Sequence, residues 1–130
     1  GIEGWEFRGE KIQGISIGGN WIAVCCEGNI KILDFGGSEL YSACFDRPVV
    51  SIEAFEDMLV VVYNSAPPMW GCRVLKAKIF KVNMEGMKFE KDIIVPLSPN
   101  SLLKWFGFSE EGMLICQDTM ERISSYRWDN

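Results

Sequence analysis

Histidine is absent from all 130 residues. The commonest general base is therefore missing, and with it the Ser-His and Cys-His dyads, so an enzyme reading starts without its usual chemistry. Five cysteines are present, an odd number with one adjacent pair, Cys25-Cys26, and no Cys-x-x-Cys. That spacing excludes a zinc ribbon and a dithiol redox motif. Neighbours in an extended strand point to opposite faces, so Cys25 and Cys26 read as one inward and one outward thiol rather than as a ligand pair. Unpatterned thiols fit a reducing compartment, cytosol or nucleus. No catalytic residue, cofactor or metal ligand is assigned.

Long hydrophobic runs are missing too. The longest, Met58 to Val62 and Ile93 to Pro96, fall far short of a bilayer span, and the first residues lack the basic start and apolar middle of a signal peptide. A soluble protein with no membrane partner is expected. Thirteen basic residues stand against 18 acidic ones, a net charge of -5, and no segment gathers Lys and Arg into a stripe that could neutralise phosphates. Direct nucleic-acid binding is therefore not expected.

What the chain does have is apolar material in short alternating pieces. At 48% hydrophobic and 12% aromatic it can bury a core as one domain. Trp5-Glu6-Phe7 alternates and closes at Arg8-Gly9-Glu10. Ile12 to Ile17 runs to Gly18-Gly19-Asn20, Trp21 to Cys26 to Glu27-Gly28-Asn29, Ile30 to Phe35 to Gly36-Gly37-Ser38, and Leu40 to Phe45 to Asp46-Arg47-Pro48. These read as four short strands joined by turns. The order then restarts with Val49 to Phe55, Glu56-Asp57, and Met58 to Tyr63, an almost unbroken apolar strand of the kind buried on both faces. After the loop Asn64 to Cys72 come a strand marked by Val74, Ile79, Phe80 and Val82 and another over Lys88 to Val95. Leu102 to Phe108, Met113 to Gln117 and Arg122 to Trp128 give three strands of a third unit.

The first strands of the units begin near Ile12, Val49 and Leu102, 37 and 53 residues apart. Repeats of about 40 residues with four strands each are the signature of propeller blades. The fold class is thus all-β: antiparallel four-stranded blades of a partial β-propeller, about three of them and part of a six-bladed ring. The blades are placed at 10–46, 47–96 and 97–130, with 1–8 a strand completing a neighbouring blade. Propellers need about four blades or more to close. Three blades therefore imply a longer propeller or two copies that pair, with Trp5 to Phe7 of one completing the third blade of the other.

Leu97-Ser98-Pro99 followed by Leu103-Lys104-Trp105-Phe106-Gly107-Phe108-Ser109-Glu110-Glu111-Gly112 resembles the signature hairpin of the SepB propeller domain. That domain belongs to the chromosome-transmission-fidelity replisome hub family, which includes the WD-repeat and HMG-box DNA-binding proteins. Trp5-Glu6-Phe7, Ile12 to Val24 and Arg47-Pro48-Val49-Val50-Ser51-Ile52 resemble its opening strand, first hairpin and second blade start, in the same order. The resemblance implies a nuclear, non-catalytic adaptor linking the replicative helicase, through GINS, to DNA polymerase α-primase, with clients docking outside this segment. It also implies self-association. Where the family usually has Asp-Ser-x-Gly-x-x-Arg, this chain has Asp118-Thr119-Met120-Glu121-Arg122, so a different loop is expected there. The alternative is an unrelated propeller that binds a small ligand or peptide, or a channel-type hydrolase. Its innermost strands would offer only Ser16, Ser51, Glu53 and Lys104.

Few residues invite a sharper reading. Asp118 fits a turn-bonding role. Glu110-Glu111, at a hairpin tip before Gly112, would be solvated, without the desolvation or like-charge clamp that acid–base work needs. Gly14, Gly18 and Gly19 sit between strands, whereas a phosphate loop must open a helix. Trp21, Trp105, Phe106 and Phe108 are expected to pack blades rather than to cage a ligand, because Trp105 and Phe106 point to opposite faces. Pro67, Pro68, Met69 and Trp70 differ. They place a large aromatic in a loop with no strand periodicity to bury it, the composition of an interface anchor, and form the candidate protein-interaction loop.

Overall fold

A computed structural model describes residues 4–66 and 74–127. Twelve strands are found among them: β1 (Glu6–Phe7), β2 (Glu10–Ile17), β3 (Ile22–Cys26), β4 (Asn29–Leu33), β5 (Glu39–Cys44), β6 (Val49–Phe55), β7 (Met58–Asn64), β8 (Leu75–Asn83), β9 (Gly86–Ile94), β10 (Leu103–Phe108), β11 (Leu114–Asp118) and β12 (Ile123–Tyr126). They form three antiparallel sheets in meander order, β1 to β5, β6 to β9 and β10 to β12. The strands β2, β6 and β10 lead the sheets, and β6 touches both of the others, so the three sheets fan out as consecutive blades of a partial β-propeller.

The turns follow from local chemistry. Gly28 takes a φ of 81° in the turn between β3 and β4, a left-handed conformation that glycine adopts without steric cost. The apolar run expected to continue to Phe35 stops at Leu33. Asp34 accepts hydrogen bonds from the Gly36 and Ser38 N–H groups at 2.9 Å, which bends the backbone away and leaves Phe35 exposed.

Each leading strand carries a bulge at the same level. Pairing slips between Ile12 and Gly14, between Val49 and Ser51, and between Leu103 and Trp105, leaving Gln13, Val50 and Lys104 as the extra residues. These bulges align the blades residue by residue: Ile12, Val49 and Leu103 are equivalent, and so are Ile15, Ile52 and Phe106.

Two cores lie between the blades, and β7 serves both. Its Leu59 and Val61 join Trp21, Ala23, Cys25, Ile30, Ile32, Ile52 and Val82 between the first and second blades. Its Val60 and Val62 join Leu75, Ala77, Ile79, Val95, Phe106, Leu114 and Cys116 between the second and third. This is why the strand is apolar at nearly every position, as its sequence implied. A smaller cluster of Ile12, Val24, Cys26 and Leu33 lies on the outer face of the first blade, with Phe7 packed against it. Cys25 and Cys26 do take opposite faces, but both are buried.

The first sheet has five strands rather than four. Trp5 to Phe7, expected to complete a neighbouring blade, turns back in this single chain through Arg8 and Gly9, and Glu6 and Phe7 pair with Lys11 and Glu10 of β2.

Candidate interaction surface

The one loop that composition marks as a partner anchor is stapled at its base. Ser65 N–H donates to the Val74 carbonyl at 2.8 Å, and Asn64 Oδ1 accepts from the N–H groups of Ala66 (3.1 Å) and Val74 (3.2 Å). The residues themselves, Pro67, Pro68, Met69 and Trp70, lie outside the described residues.

The aromatic residues that could have formed a cage are dispersed. Trp21 is buried in the first core with its ring against Gly18, which explains the glycine there. Phe106 is buried in the second core, while Trp105 on the opposite face of β10 covers Gly107 so closely that an added side chain would meet its ring at 2.7 Å. Phe108 stacks on Phe55 across the blade boundary, centroids 5.3 Å apart. Gly19 N–H donates to the Glu56 carbonyl at 2.8 Å, joining the tips of two blades; the other phosphate-loop candidate, Gly14, faces Ile52.

Asp118 is the only buried charged residue among those described, and its role is architectural. Oδ2 accepts from Ser98 N–H at 2.8 Å, and Oδ1 from Met120 and Arg122 N–H at 2.9 and 3.0 Å. Burial alone would raise its pKa, but the backbone donors of Ser98, Arg122 and Met120 outweigh it and hold the carboxyl down at about 2. Thr119 exchanges hydrogen bonds with the backbone of Leu102. Glu121 takes a φ of 66° in the loop after β11, and its carboxylate accepts hydrogen bonds from Lys104 and Gln117, both at 2.7 Å.

The polar groups on the leading strands are used within the fold. Ser16 Oγ accepts from Ala54 N–H at 2.8 Å, tying the first blade to the second. Glu53 lies in the cleft between β6 and β10; burial raises its pKa, partly countered by a hydrogen bond with Ser51. Lys104 is engaged by Glu121. The thiols of Cys25, Cys26 and Cys116 are pushed up by burial, Cys25 to about 11, so at neutral pH they are unreactive thiols. Glu110 and Glu111 sit at the exposed β10–β11 turn, and Glu111 shares a surface hollow with Glu56, Asp57 and Arg127.

Ser16, Lys104 and Asp118 are thus spent on joining blades and turns, while the two outer blade faces carry exposed apolar residues. The outer face of the first blade exposes Ile15 and Ile17; the outer face of the third exposes Trp105 and Ile123. In the aligned blades, Ile52 and Phe106 are only 6% and 8% exposed, whereas Ile15 is 40% exposed. The same position is covered wherever a preceding blade exists.

The family model of the minichromosome loss protein Mcl1, middle region, matches residues 4–130. The chain belongs to the Mcl1 family. Two relatives are the Arabidopsis thaliana protein ENHANCER OF LHP1 1, 31% identical over 88% of the chain, and the Xenopus laevis WD repeat and HMG-box DNA-binding protein 1, 29% identical over 81%. The chain spans only 12% and 9% of their lengths. Among solved structures, a protein of unknown function from Bacteroides caccae superposes with a TM-score of 0.51 at 12% identity, over 95% of this chain and 49% of that one. That likeness concerns the fold alone.

The sequence missed two features of the surface. The bulges leave no mark in hydropathy, because Gln13, Val50 and Lys104 share no chemistry. The return of β1 onto β2 was readable only in Arg8-Gly9, a turn that sequence treats as a strand end.

Proposed function

We propose that this segment is a non-catalytic protein-interaction scaffold, part of a nuclear replisome adaptor that links the replicative helicase, through GINS, to DNA polymerase α-primase. The observation that carries the reading is the match of residues 4–130 to the Mcl1 middle region. Its support in the geometry is the way polar side chains are committed to architecture: Asp118, Ser16 and Lys104 each hold a turn or a blade. The loop Pro67 to Trp70 is proposed as a partner contact, set between the stapled residues Asn64 and Val74.

Affinity capture from nuclear extract with the full-length parent protein tests the function. Recovery of GINS or DNA polymerase α subunits is expected, and their reproducible absence overturns the adaptor reading. Trp70→Ala is expected to reduce capture of at least one partner; an unchanged partner set removes the loop from the proposal.

A further inference from the structure

The link from the second blade to the third, residues 95–102, folds into a tight turn. Ser101 N–H donates to the Ser98 carbonyl at 3.1 Å, and the Ser101 hydroxyl donates to the same oxygen at 2.5 Å. Asn100 takes a φ of 59°, so Ser98-Pro99-Asn100-Ser101 is a type II turn, with proline second and a left-handed residue third. Pro99 and Asn100 form its exposed tip, and Ser98 is half-buried. The proline ring disfavours a helical conformation at the residue before it, which keeps Ser98 extended.

An extended serine followed by proline at an exposed turn is the form in which proline-directed protein kinases take their substrates. Proline suits the position after the serine because it brings no N–H that the kinase would have to satisfy. Five prolines are present, and Pro99 alone follows a serine or threonine. The sequence thus offers such a kinase one target, Ser98.

The surroundings of Ser98 give its modification a consequence. Its N–H donates to Asp118 Oδ2 at 2.8 Å, and that carboxylate is only 1% exposed. Burial would raise the pKa of Asp118, yet the donors, the backbone and hydroxyl of Ser98 among them, hold it at about 2, so at neutral pH a buried anion faces the serine. Among the described residues Asp118 has no ion-pair partner, and Lys104 is engaged by Glu121. A phosphate on the hydroxyl would bring about two further negative charges beside that anion and remove a donor that favoured it. The two cannot stay together.

We propose that Ser98 is a phosphorylation site for a proline-directed kinase, and that its phosphate releases the 95–102 link from the third blade. In the transfer Ser98 Oγ attacks the γ-phosphorus of ATP. A new O–P bond forms, the bond to the bridging oxygen breaks, ADP leaves with that electron pair, and the hydroxyl proton passes to the kinase. Half-burial of Ser98 means that the kinase acts when the link opens locally, and the phosphate then keeps it open. The Ser98 N–H gives up Asp118, and the hydrogen bonds between Thr119 and Leu102 are left to hold the joint. The site stands apart from the client reading above, since it concerns only the joint between two blades.

The full-length parent protein is treated with ATP and either a cyclin-dependent or a mitogen-activated protein kinase, and phosphates are mapped by mass spectrometry. Phosphate is expected on Ser98, and Pro99→Ala should abolish it. Deuterium exchange at the Ser98 amide should then quicken at least about tenfold, as loss of one hydrogen bond to a charged group requires. In Asp118→Asn the repulsion is gone, and phosphorylation should change exchange there far less. An unmodified Ser98 with both kinases, phosphate on Ser101 instead, or labelling that survives Pro99→Ala overturns the site. Unchanged exchange at a phosphorylated Ser98, or an equal increase in Asp118→Asn, overturns the release.

Discussion

Ile15 and Ile52 occupy the same place on two leading strands, yet one is largely exposed and the other is buried. Nothing in the residue accounts for the difference, since both are isoleucine in alternating strands. The cause is the neighbour: Ile52 has the first blade to pack against, and Ile15 faces outward. Burial in a propeller is thus a property of the interval between blades, and a blade at the end of a stack carries apolar residues whose partners must come from elsewhere.

Truncation at the two sites gives the largest effects and the most direct attempt to break this contrast. Ile52→Ala should cost about 2–4 kcal/mol, the usual price of emptying a packed core site, and lower the Tm accordingly. Ile15→Ala should cost less than about 1 kcal/mol. Equal losses in thermal unfolding would show that the outer face is covered in the single chain. The second effect concerns Asp118, which fastens the third blade's turn to the segment before it. Its folded pKa, about 2, lies below the ordinary 3.8, so its stabilisation is present above 3.8 and lost as pH falls through about 2. Asp118→Asn should lower the Tm clearly at pH 7 and progressively less toward pH 2. A gap that does not narrow would remove the charge from the explanation.

Glu53 tests the same boundary from the opposite sign. Burial between β6 and β10 raises its pKa above the ordinary 4.5, so its contribution is present below that value and lost as pH rises through the folded one. Glu53→Gln should raise the Tm by a few degrees at pH 7 and leave it unchanged at pH 4; no gain at pH 7 would mean that the cleft is solvated. The smallest effect is expected at Glu121. Glycine there relieves a left-handed conformation worth about 1 kcal/mol and removes an exposed ion pair with Lys104 worth less than that. Calorimetry should find Glu121→Gly slightly more stable, and a clear loss would show that the contacts to Lys104 and Gln117 dominate.

How far these features could be read beforehand varies with their range along the chain. The strands, the turn at Gly28, the double-sided burial of β7 and the opposed faces of Trp105 and Phe106 all rest on contacts between near neighbours or on strict alternation, and hydropathy records both. Asp118 as a turn residue was legible for the same reason. The end of β4 at Leu33 was not, because Asp34 competes for the backbone through its side chain, which periodicity does not weigh. Nor was the fate of Trp5 to Phe7. Its spacing fits a neighbouring blade, but in a single chain the tight turn at Arg8-Gly9 offers a nearer edge. The open ends themselves are invisible in any one strand, since Ile15 looks like Ile52 until the blades are counted.

β7 also decides how the molecule comes apart. Leu59 and Val61 belong to one core and Val60 and Val62 to the other, so displacing this strand opens both cores at once. A stack of repeats joined only by surface contacts can unravel from an end, one unit at a time. Here the two boundaries share a single strand, which supplies two of the nine buried residues of each core. The three blades are therefore expected to melt in one transition, with the amides of β7 the last to exchange with deuterium.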